Sequence, residues 1–493
     1  MSARTATIWT FVVTSVAIFM VSLDNLVVTT ALPVIKHDLG AGLQGLEWTV
    51  NAYTLTFAVL LLTGAALGDR FGRKRMFLTG LAIFTLGSAF AALAPSIGAL
   101  IAARAMQGVG GAIVTPLTLT ILSAAVPPAR RGMALGIWGG VSGLAVALGP
   151  VVGGAIVDGL SWQWIFWLNV PIGLALLPIA LFRLSESKGA NRSLDLPGLG
   201  LASVGLFGIV WGLVRGNAHG WTSLGVAGPI AAGIVLLGAF VLWERRTPEP
   251  MVPLRFFRNR AFSAANVTSL LMSFGMFGSI FLLAQFFQIV QGYTPLQAGI
   301  RTLPWTAMPI IVAPIAGMLS DRIGARPLLV AGMALMAAGL GWMAIVTSPT
   351  VAYLSLVPAF VMAGVGMSLY FAPVANLVLS TVRRKEEGKA SGVNNTVREV
   401  GGVFGVAVLA SVFSAAGSYL SPQSFVNGMV PAIWVGAAAV ALAGVAAVLI
   451  PPKEDVVPDS VSLLERGERG ERDGSRPDVG IAGELACEAD SAA

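Results

Sequence analysis

The stretch GAALGDRFGRKR at residues 64–75 joins one apolar run to the next and sets one acid and four bases between them. A shorter version, SDRIGAR, follows another apolar run at residues 320–326. A second pair of matching segments lies downstream of each, GVG at 108–110 and GVG at 364–366. Because the two segments recur in the same order, we interpret the chain as two parallel six-helix halves.

Outward from these loops, apolar runs dominate the chain. Hydrophobic residues make up 56% of the 493 residues. Charged residues make up only 11%, whereas soluble domains have about 25%. The stretches 261–300, 327–382 and 400–452 hold no formal charge, and each fits two spans of about 20 residues. The pattern predicts an all-α polytopic membrane protein with fourteen transmembrane helices. The expected organisation is an N-terminal six-helix half at 1–183, two inserted helices and a linker at 184–260, a C-terminal six-helix half at 261–450 and a disordered tail at 451–493.

The basic residues lie on one side of this arrangement. All but five of the 31 lysines and arginines fall at the termini or in alternate loops, and the opposite loops hold only Lys36 and, at a helix end, Arg215. The positive-inside rule therefore places both termini in the cytoplasm, with the chain in the lipid bilayer of the cell membrane. These loops account for the net charge of +7, so no nucleic-acid partner is expected. The single cysteine, Cys487, excludes an intramolecular disulfide, and with only two histidines it argues against a metal site.

Few ionisable side chains lie inside the apolar runs, where each costs roughly 2.5 to 3.5 kcal/mol to insert. They are Asp24, Arg104, Arg398 and Glu399, with Glu47 and Arg301 nearer the outer ends of their helices. Because burial disfavours a charged carboxyl group, Asp24 is the leading candidate to bind and release a proton. A static hydrogen-bonding role is the alternative. Glu399 is the second candidate, for proton coupling or substrate contact, and a solvated charge at a helix end is its alternative.

Six motifs occur together along the first six predicted spans. They are LDNLVV at 23–28 with ALP at 31–33, GAALGDRFGRKR at 64–75, RAMQGVGG at 104–111, GPVVGG at 149–154, WQWIF at 162–166 and NVPIG at 169–173. In this order they resemble the major facilitator superfamily, and within it the fourteen-helix drug:proton antiporter family. The resemblance covers residues 8 to about 450. It implies the major facilitator fold, with protons as the coupling ion and no cofactor.

The resemblance also implies a gating role for the loop at residues 64–75. There, Asp69 accepts from nearby helix N-termini and pairs with Arg70 or Arg73, forming a latch that breaks when the halves rock. In the second half, Asp321 and Arg322 hold the corresponding positions. A charged loop that only fixes the topology is the alternative.

Two further helices carry motifs with implied roles. In the fourth helix, Arg104 assists proton transfer at a nearby carboxylate, and a structural tie between helices is the alternative. In the fifth helix, small residues let backbones approach closely and a proline permits a bend. The resemblance implies that this fifth-helix motif marks exporters, while ordinary tight packing is the other interpretation. The residues of this hinge surface are Gly149, Pro150, Gly153 and Gly154.

Polar and aromatic residues at helical spacing are candidates to line a substrate cavity, although such spacing also fits packing. They are Asn51, Tyr53, Phe281, Gln285, Gln288 and Gln291. On the thirteenth helix a subset of the family carries several acids, but positions 394 and 395 are asparagines here, which leaves Glu399 alone. This departure argues against dicationic substrates.

The function predicted from these features is export of amphipathic, lipophilic small molecules in exchange for protons. Residues 108–111 read GVGG inside an apolar run and lack the lysine of a phosphate-binding loop, so neither ATP drive nor an enzymatic activity is expected. We expect a monomer. Two other functions remain open, namely a proton symporter that imports a nutrient and a non-transporting sensor that binds a partner.

Overall fold

A computed structural model describes residues 3–126, 131–188, 195–383 and 386–452. Within these residues the regular elements are sixteen α-helices, a short 3₁₀ segment at Leu254–Arg258 and a π segment at Phe286–Val290. The predicted disordered tail lies outside the described residues from 453 onward. The α-helices are α1 Ala3–Asp38, α2 Leu43–Phe71, α3 Arg73–Ala92, α4 Ile97–Ala125, α5 Arg131–Gly159, α6 Trp164–Trp167, α7 Asn169–Arg183, α8 Leu196–His219, α9 Leu224–Arg246, α10 Arg260–Gln285, α11 Pro295–Thr306, α12 Met308–Ile323, α13 Ala325–Val346, α14 Tyr353–Ser380, α15 Glu387–Ala416 and α16 Pro422–Val448.

The helices account for the predicted membrane spans. In the described part of the chain, thirteen helical segments are long and apolar enough to cross a bilayer. Three of them are composite. Trp164–Arg183 combines α6 and α7, Arg260–Val290 combines α10 and the π segment, and Pro295–Ser320 combines α11 with most of α12. The predicted fifth span corresponds to α5, whose described apolar portion, Leu148–Gly159, is shorter than a full span. The all-helical membrane architecture is therefore confirmed, as expected where backbone groups must be satisfied within each segment.

Local sequence sets where several helices begin. Ser96 starts α4 by accepting a hydrogen bond from the Ala99 N–H at 3.3 Å, so Pro95 separates two spans. Asn259 caps α10 through the N–H groups of Ala261 and Phe262. Thr294 and Gln297 form a reciprocal capping box at α11. These side chains satisfy the N–H groups that have no partner inside the helix.

The repeated loops turn in the same way. Gly72 separates α2 from α3 with φ +109°, and Gly324 separates α12 from α13 with φ +83°. Each glycine N–H bonds back to a carbonyl four residues earlier, those of Gly68 and Ser320, at 3.0 and 2.9 Å. A side chain would be strained at such positive φ values. This explains why glycine follows the acid at the same distance in both copies.

The packing partners of the spans also recur along the chain. In the first six spans α1 packs on α5, α2 and α3 pack on α4, and α3 packs on α7. In the last six spans α10 packs on α15, α12 and α13 pack on α14, and α13 packs on α16. The inserted helices α8 and α9 pack on each other, and α8 also contacts α2 and α15. The same set of pairings therefore occurs twice, with α8 and α9 between the two sets.

The two sets of helices meet along α5 with α11 and along α2 with α15. We call the end of the bundle that holds Lys36 the distal end, and the end that holds Asp69 the proximal end. At the distal end, Gln288 donates to the Thr30 carbonyl at 2.8 Å, and the Lys36 ammonium lies 3.2 Å from the centre of the Tyr419 ring. These contacts join the two sets of spans at the distal end.

Candidate functional site

The centre of the site is a buried ion pair between α1 and α4. Arg104 Nη1 lies 2.5 Å from Asp24 Oδ2, and each side chain is 1% exposed. Arg104 stands one turn before Gln107, so the helical repeat places both on the face of α4 that meets α1. The structure therefore brings together two of the three residues predicted to couple protons.

Neutral donors complete the shell around Asp24. Asn169 Nδ2 donates to Asp24 Oδ1 at 2.8 Å, and Gln107 Nε2 donates to the same oxygen at 3.2 Å. Gln107 is itself held by Ser88 Oγ at 2.7 Å. Asn169 belongs to the motif NVPIG at 169–173 but was given no role from the sequence. Its place in that motif was the only signal for it, since contact with α1 depends on how α7 packs.

Arg104 is held on its other sides by α2 and α6. Its Nε donates to the Thr49 carbonyl at 3.3 Å. Its guanidinium carbon lies 4.3 Å from the centre of the Tyr53 ring and 5.8 Å from that of Phe166. A carbonyl and two aromatic faces thus stabilise the cation in addition to its carboxylate partner.

Glu399, the third residue predicted to couple protons, lies on α15, which packs against α2. Glu399 is 4% exposed, so it is buried and not a solvated charge at a helix end. Its Oε1 accepts from Arg398 Nη2 at 2.9 Å, while its Oε2 is buried without a partner among the described residues. Adjacent residues on a helix point about 100° apart, but the side chains of Arg398 and Glu399 are long enough to pair.

At the proximal end, Asp69 pairs with one of the two arginines predicted for the latch. Arg73 Nη2 lies 2.9 Å from Asp69 Oδ1, while the Arg70 guanidinium lies over the Phe71 ring, 5.2 Å from its centre. The start of α3 is capped by Glu186, which accepts from the N–H groups of Lys74 and Arg75 at 3.0 and 3.2 Å. Glu186 was missed because it comes from the linker after α7. In the second half Arg322 is exposed, and the side chain of Asp321 lies outside the described ones.

The small residues of α5 form a two-sided seam. A Cβ atom on Gly149 would lie 2.8 Å from Leu26 Cβ of α1, and one on Gly153 would lie 2.8 Å from the Val27 carbonyl. On the other side, a Cβ on Gly154 would overlap the carbonyl of Pro295 in α11, and the Pro150 carbonyl lies against Gly299. Only residues without a side chain allow three backbones to approach so closely. The α5 motif therefore joins the helix that carries Asp24 to the other set of spans.

The predicted cavity residues pack between helices in this conformation. Asn51, Tyr53, Phe281 and Gln285 are each at most 1% exposed. Gln285 accepts from the Tyr419 hydroxyl at 2.5 Å. None of these residues, nor Gln288, lines either of two cavities found at the ends of the bundle. Their role in lining a substrate cavity stays a prediction. Among the described residues, no three potential metal ligands lie together as a metal site would require.

The sequence as a whole matches a known family. The model of the Major Facilitator Superfamily matches residues 14–406 and 302–470. The chain belongs to the Major Facilitator Superfamily. It is thus a multi-pass membrane transporter rather than an enzyme. The same superfamily was expected from the motifs between residues 23 and 173.

Relatives in this superfamily carry names that refer to resistance and export. The chain is 35% identical over 426 residues to the tetracenomycin C resistance and export protein of Streptomyces glaucescens, covering 86% of this chain and 79% of that protein. It is 39% identical over 436 residues to the cephamycin export protein of Amycolatopsis lactamdurans, covering 86% and 89%. It is 35% identical over 437 residues to the puromycin resistance protein of Streptomyces alboniger, covering 86% of each.

Solved structures of more distant proteins share the fold. A D-xylose-proton symporter matches with a TM-score of 0.63 at 14% sequence identity, covering 92% of this chain and 99% of that one. A peptide transporter matches with a TM-score of 0.66 at 16% identity, covering 91% and 98%. At these identities the likeness concerns the fold alone, and the predicted major facilitator fold is confirmed.

Proposed function

We propose that this transporter exports amphipathic, lipophilic drugs or antibiotics across the cell membrane in exchange for protons, by alternating access and with both termini in the cytoplasm. The single observation that carries the proposal is the ion pair of Asp24 and Arg104, closed off from solvent inside a membrane span. An ionisable pair at this depth is costly and marks a proton or substrate pathway. The names of the resistance and export relatives support the direction of transport.

Asp24 is the proton carrier in this proposal. As a carboxylate it neutralises Arg104 and accepts from Asn169 and Gln107. When it binds a proton, the attraction between α1 and α4 falls, because Arg104 stays charged and keeps only its carbonyl, amide and aromatic partners. A drug that reaches the cluster from the cytoplasm would favour release of that proton. Arg104 thus tunes the exchange, and Glu399 is the second proton-binding group.

The α5 seam connects this change to the movement of the halves. Gly149 and Gly153 lie against α1 close to Asp24, and Gly154 lies against α11. A shift of α1 on protonation of Asp24 would therefore move α5 at its contact with α11, where the two sets of spans meet. Closely packed backbones favour discrete arrangements over gradual deformation, as a rocking mechanism requires.

The latch between Asp69 and Arg73 acts at the proximal end. These side chains are 28% and 20% exposed, so the pair contributes little to stability and breaks at low cost. Such a contact suits a gate that opens in every cycle. The proton motive force easily supplies this cost, since one charge moved through 100 mV gains about 2.3 kcal/mol.

The test is efflux of a lipophilic cationic dye from cells that are first de-energised and then re-energised. We expect wild-type efflux to require the proton gradient and to be lost in Asp24→Asn, with a smaller loss in Glu399→Gln, at matched membrane expression. Everted vesicles give the direction, since an exporter fills them with dye when they are energised. Undiminished efflux in Asp24→Asn, or energised loss of dye from everted vesicles, would contradict the proposal.

A further inference from the structure

A cavity of about 340 Å³ lies where the inserted helix α8 meets the bundle. It is formed by the start of α2 and the ends of α8 and α15, close to the exposed residues Gly42, Ala218 and Ser414. The cavity thus sits at the distal end of the bundle, next to the surface. Its lining residues are Gly42, Leu43, Gln44, Glu47, Val214, Asn217, Ala218, Ser411 and Ser414.

One acidic group lines this cavity without a partner. Glu47 is 2% exposed, and its Oε2 has no hydrogen-bond partner among the described residues. The polar side chains around it, Gln44, Asn217 and Ser411, are neutral, and Asn217 already donates to the Ser411 carbonyl and hydroxyl. A buried carboxylate with a free oxygen needs a proton or another cation.

The charged and titratable groups on neighbouring elements are engaged elsewhere. On α1, the Lys36 ammonium lies over the ring of Tyr419, and the Tyr419 hydroxyl donates to Gln285. On α8, Arg215 and His219 contact each other at 3.1 Å on the exposed side. No ion pair to Glu47 occurs among the described residues. The carboxyl group is therefore free to take up a proton from the distal side.

The next polar group inward on α2 is Asn51, one turn from Glu47 on the same face. Both atoms of its amide are buried and without a hydrogen-bond partner among the described residues. Glu47 and Asn51 are thus adjacent but not bonded to each other. Between these two residues along α2, the Thr49 carbonyl accepts from Arg104 Nε, the partner of Asp24, at 3.3 Å. Polar groups therefore lie between the cavity and the central cluster, and no hydrogen bond joins Glu47 to Asn51.

We infer that Glu47 is the site where the coupling proton is loaded from the distal side of the membrane. This inference rests on the proposed proton exchange. A proton from the aqueous phase enters through the cavity, binds the Glu47 carboxylate and gives the neutral acid. When the halves rock, the neutral acid gives that proton to the carboxylate of Asp24, and Glu47 returns to its charged form.

The first experiment measures protonation without any transport. Purified full-length protein in detergent is treated with dicyclohexylcarbodiimide, which reacts with protonated carboxyl groups, and the labelled peptides are identified by mass spectrometry. At pH 7 we expect Glu47 to be labelled at least tenfold more than Glu186, which accepts two backbone N–H bonds at the proximal end, and its labelling to fall as the pH rises. Absence of the adduct at Glu47 at every pH would overturn the inference.

The second experiment separates proton loading from a structural role. Glu47→Gln is expected to lower gradient-driven dye export at least tenfold while leaving dye-for-dye exchange without a gradient within twofold of wild type. Gln423→Ala, at an exposed position of the distal end outside this cavity, should leave both rates unchanged. Equal loss of both rates in Glu47→Gln, or unimpaired driven export, would overturn the inference. If the wild type exports no dye, the proposed function fails, and labelling then decides the state of Glu47 by itself.

Discussion

Replacing one partner of the Asp24–Arg104 pair should have a different effect from replacing the other. Asp24→Asn leaves a guanidinium in a site where the side chain is 1% exposed, and a guanidinium does not deprotonate. Arg104→Gln leaves a carboxylate, which neutralises itself by binding a proton. The remaining donors to that carboxyl group, Asn169 and Gln107, stay in place.

The expected sizes follow from this difference. Removal of one partner of a buried ion pair costs about 3 to 5 kcal/mol, and Asp24→Asn should reach that range. Arg104→Gln should cost about 1 to 3 kcal/mol, the loss associated with an unsatisfied buried group. The double variant Asp24→Asn/Arg104→Gln removes both charges, so it should be more stable than Asp24→Asn alone.

The assay is unfolding of purified protein in a mild detergent, followed by tryptophan fluorescence and size-exclusion chromatography. Asp158→Asn, a change at an exposed position near the end of α5, is the control and should shift the free energy of unfolding by less than about 0.5 kcal/mol. Strictly additive effects of the two single variants would refute the argument, since charges in contact must couple. Equal losses in Asp24→Asn and Arg104→Gln would refute the assumed protonation of Asp24.

Three further predictions concern the seam, the latch and the turn. Gly154→Leu should abolish efflux at normal membrane expression, because even its Cβ would lie 2.7 Å from Leu296 Cα and would separate α5 from α11 by about 1 Å. Gly140→Ala on the same helix has open space around it and should leave efflux unchanged. Normal efflux in Gly154→Leu would contradict the role of the seam. Asp69→Asn should lower the rate of dye efflux while changing the free energy of unfolding by less than about 1 kcal/mol. Arg70→Ala should change neither quantity. Equal effects of the two substitutions on efflux would contradict the latch. Gly72→Ala should lower the free energy of unfolding by about 1 to 3 kcal/mol, because residue 72 has a positive φ. The unfolding assay measures this change. Unchanged stability would show that the turn adapts to alanine.

The membrane architecture could be predicted almost completely from the chain. Long uncharged stretches predicted the spans. The structure separates helices at Pro95 and at residues 347–349, since α4 begins at Ile97 and α14 at Tyr353. The sequence did not predict the interruption of the tenth span at Ala307, between α11 and α12, or the π segment at the end of the ninth. These irregularities arise from prolines and from packing, which hydropathy does not register.

The site was only partly predictable. Ionisable residues in apolar runs stand out because insertion is costly, and this pointed to Asp24, Arg104 and Glu399. Neutral residues such as Asn169 and Ser88 carry no such signal, although they complete the hydrogen bonds around the ion pair. Glu186 was also missed, because its contact with α3 spans more than a hundred residues of chain.

The sequence by itself determined that the chain lies in a membrane and crosses it as a series of apolar helices, since these properties depend on hydrophobicity along the chain. Only the tertiary structure decided that Arg104 faces Asp24 and that Arg398 pairs with Glu399. It also decided that Glu47 lines a cavity, with its Oε2 unpartnered by any described residue. The physical reason is that helices apolar on nearly every side carry little periodic signal for their rotation. Their facing is set instead by close backbone contacts, such as those of Gly149 and Gly154 with two different helices.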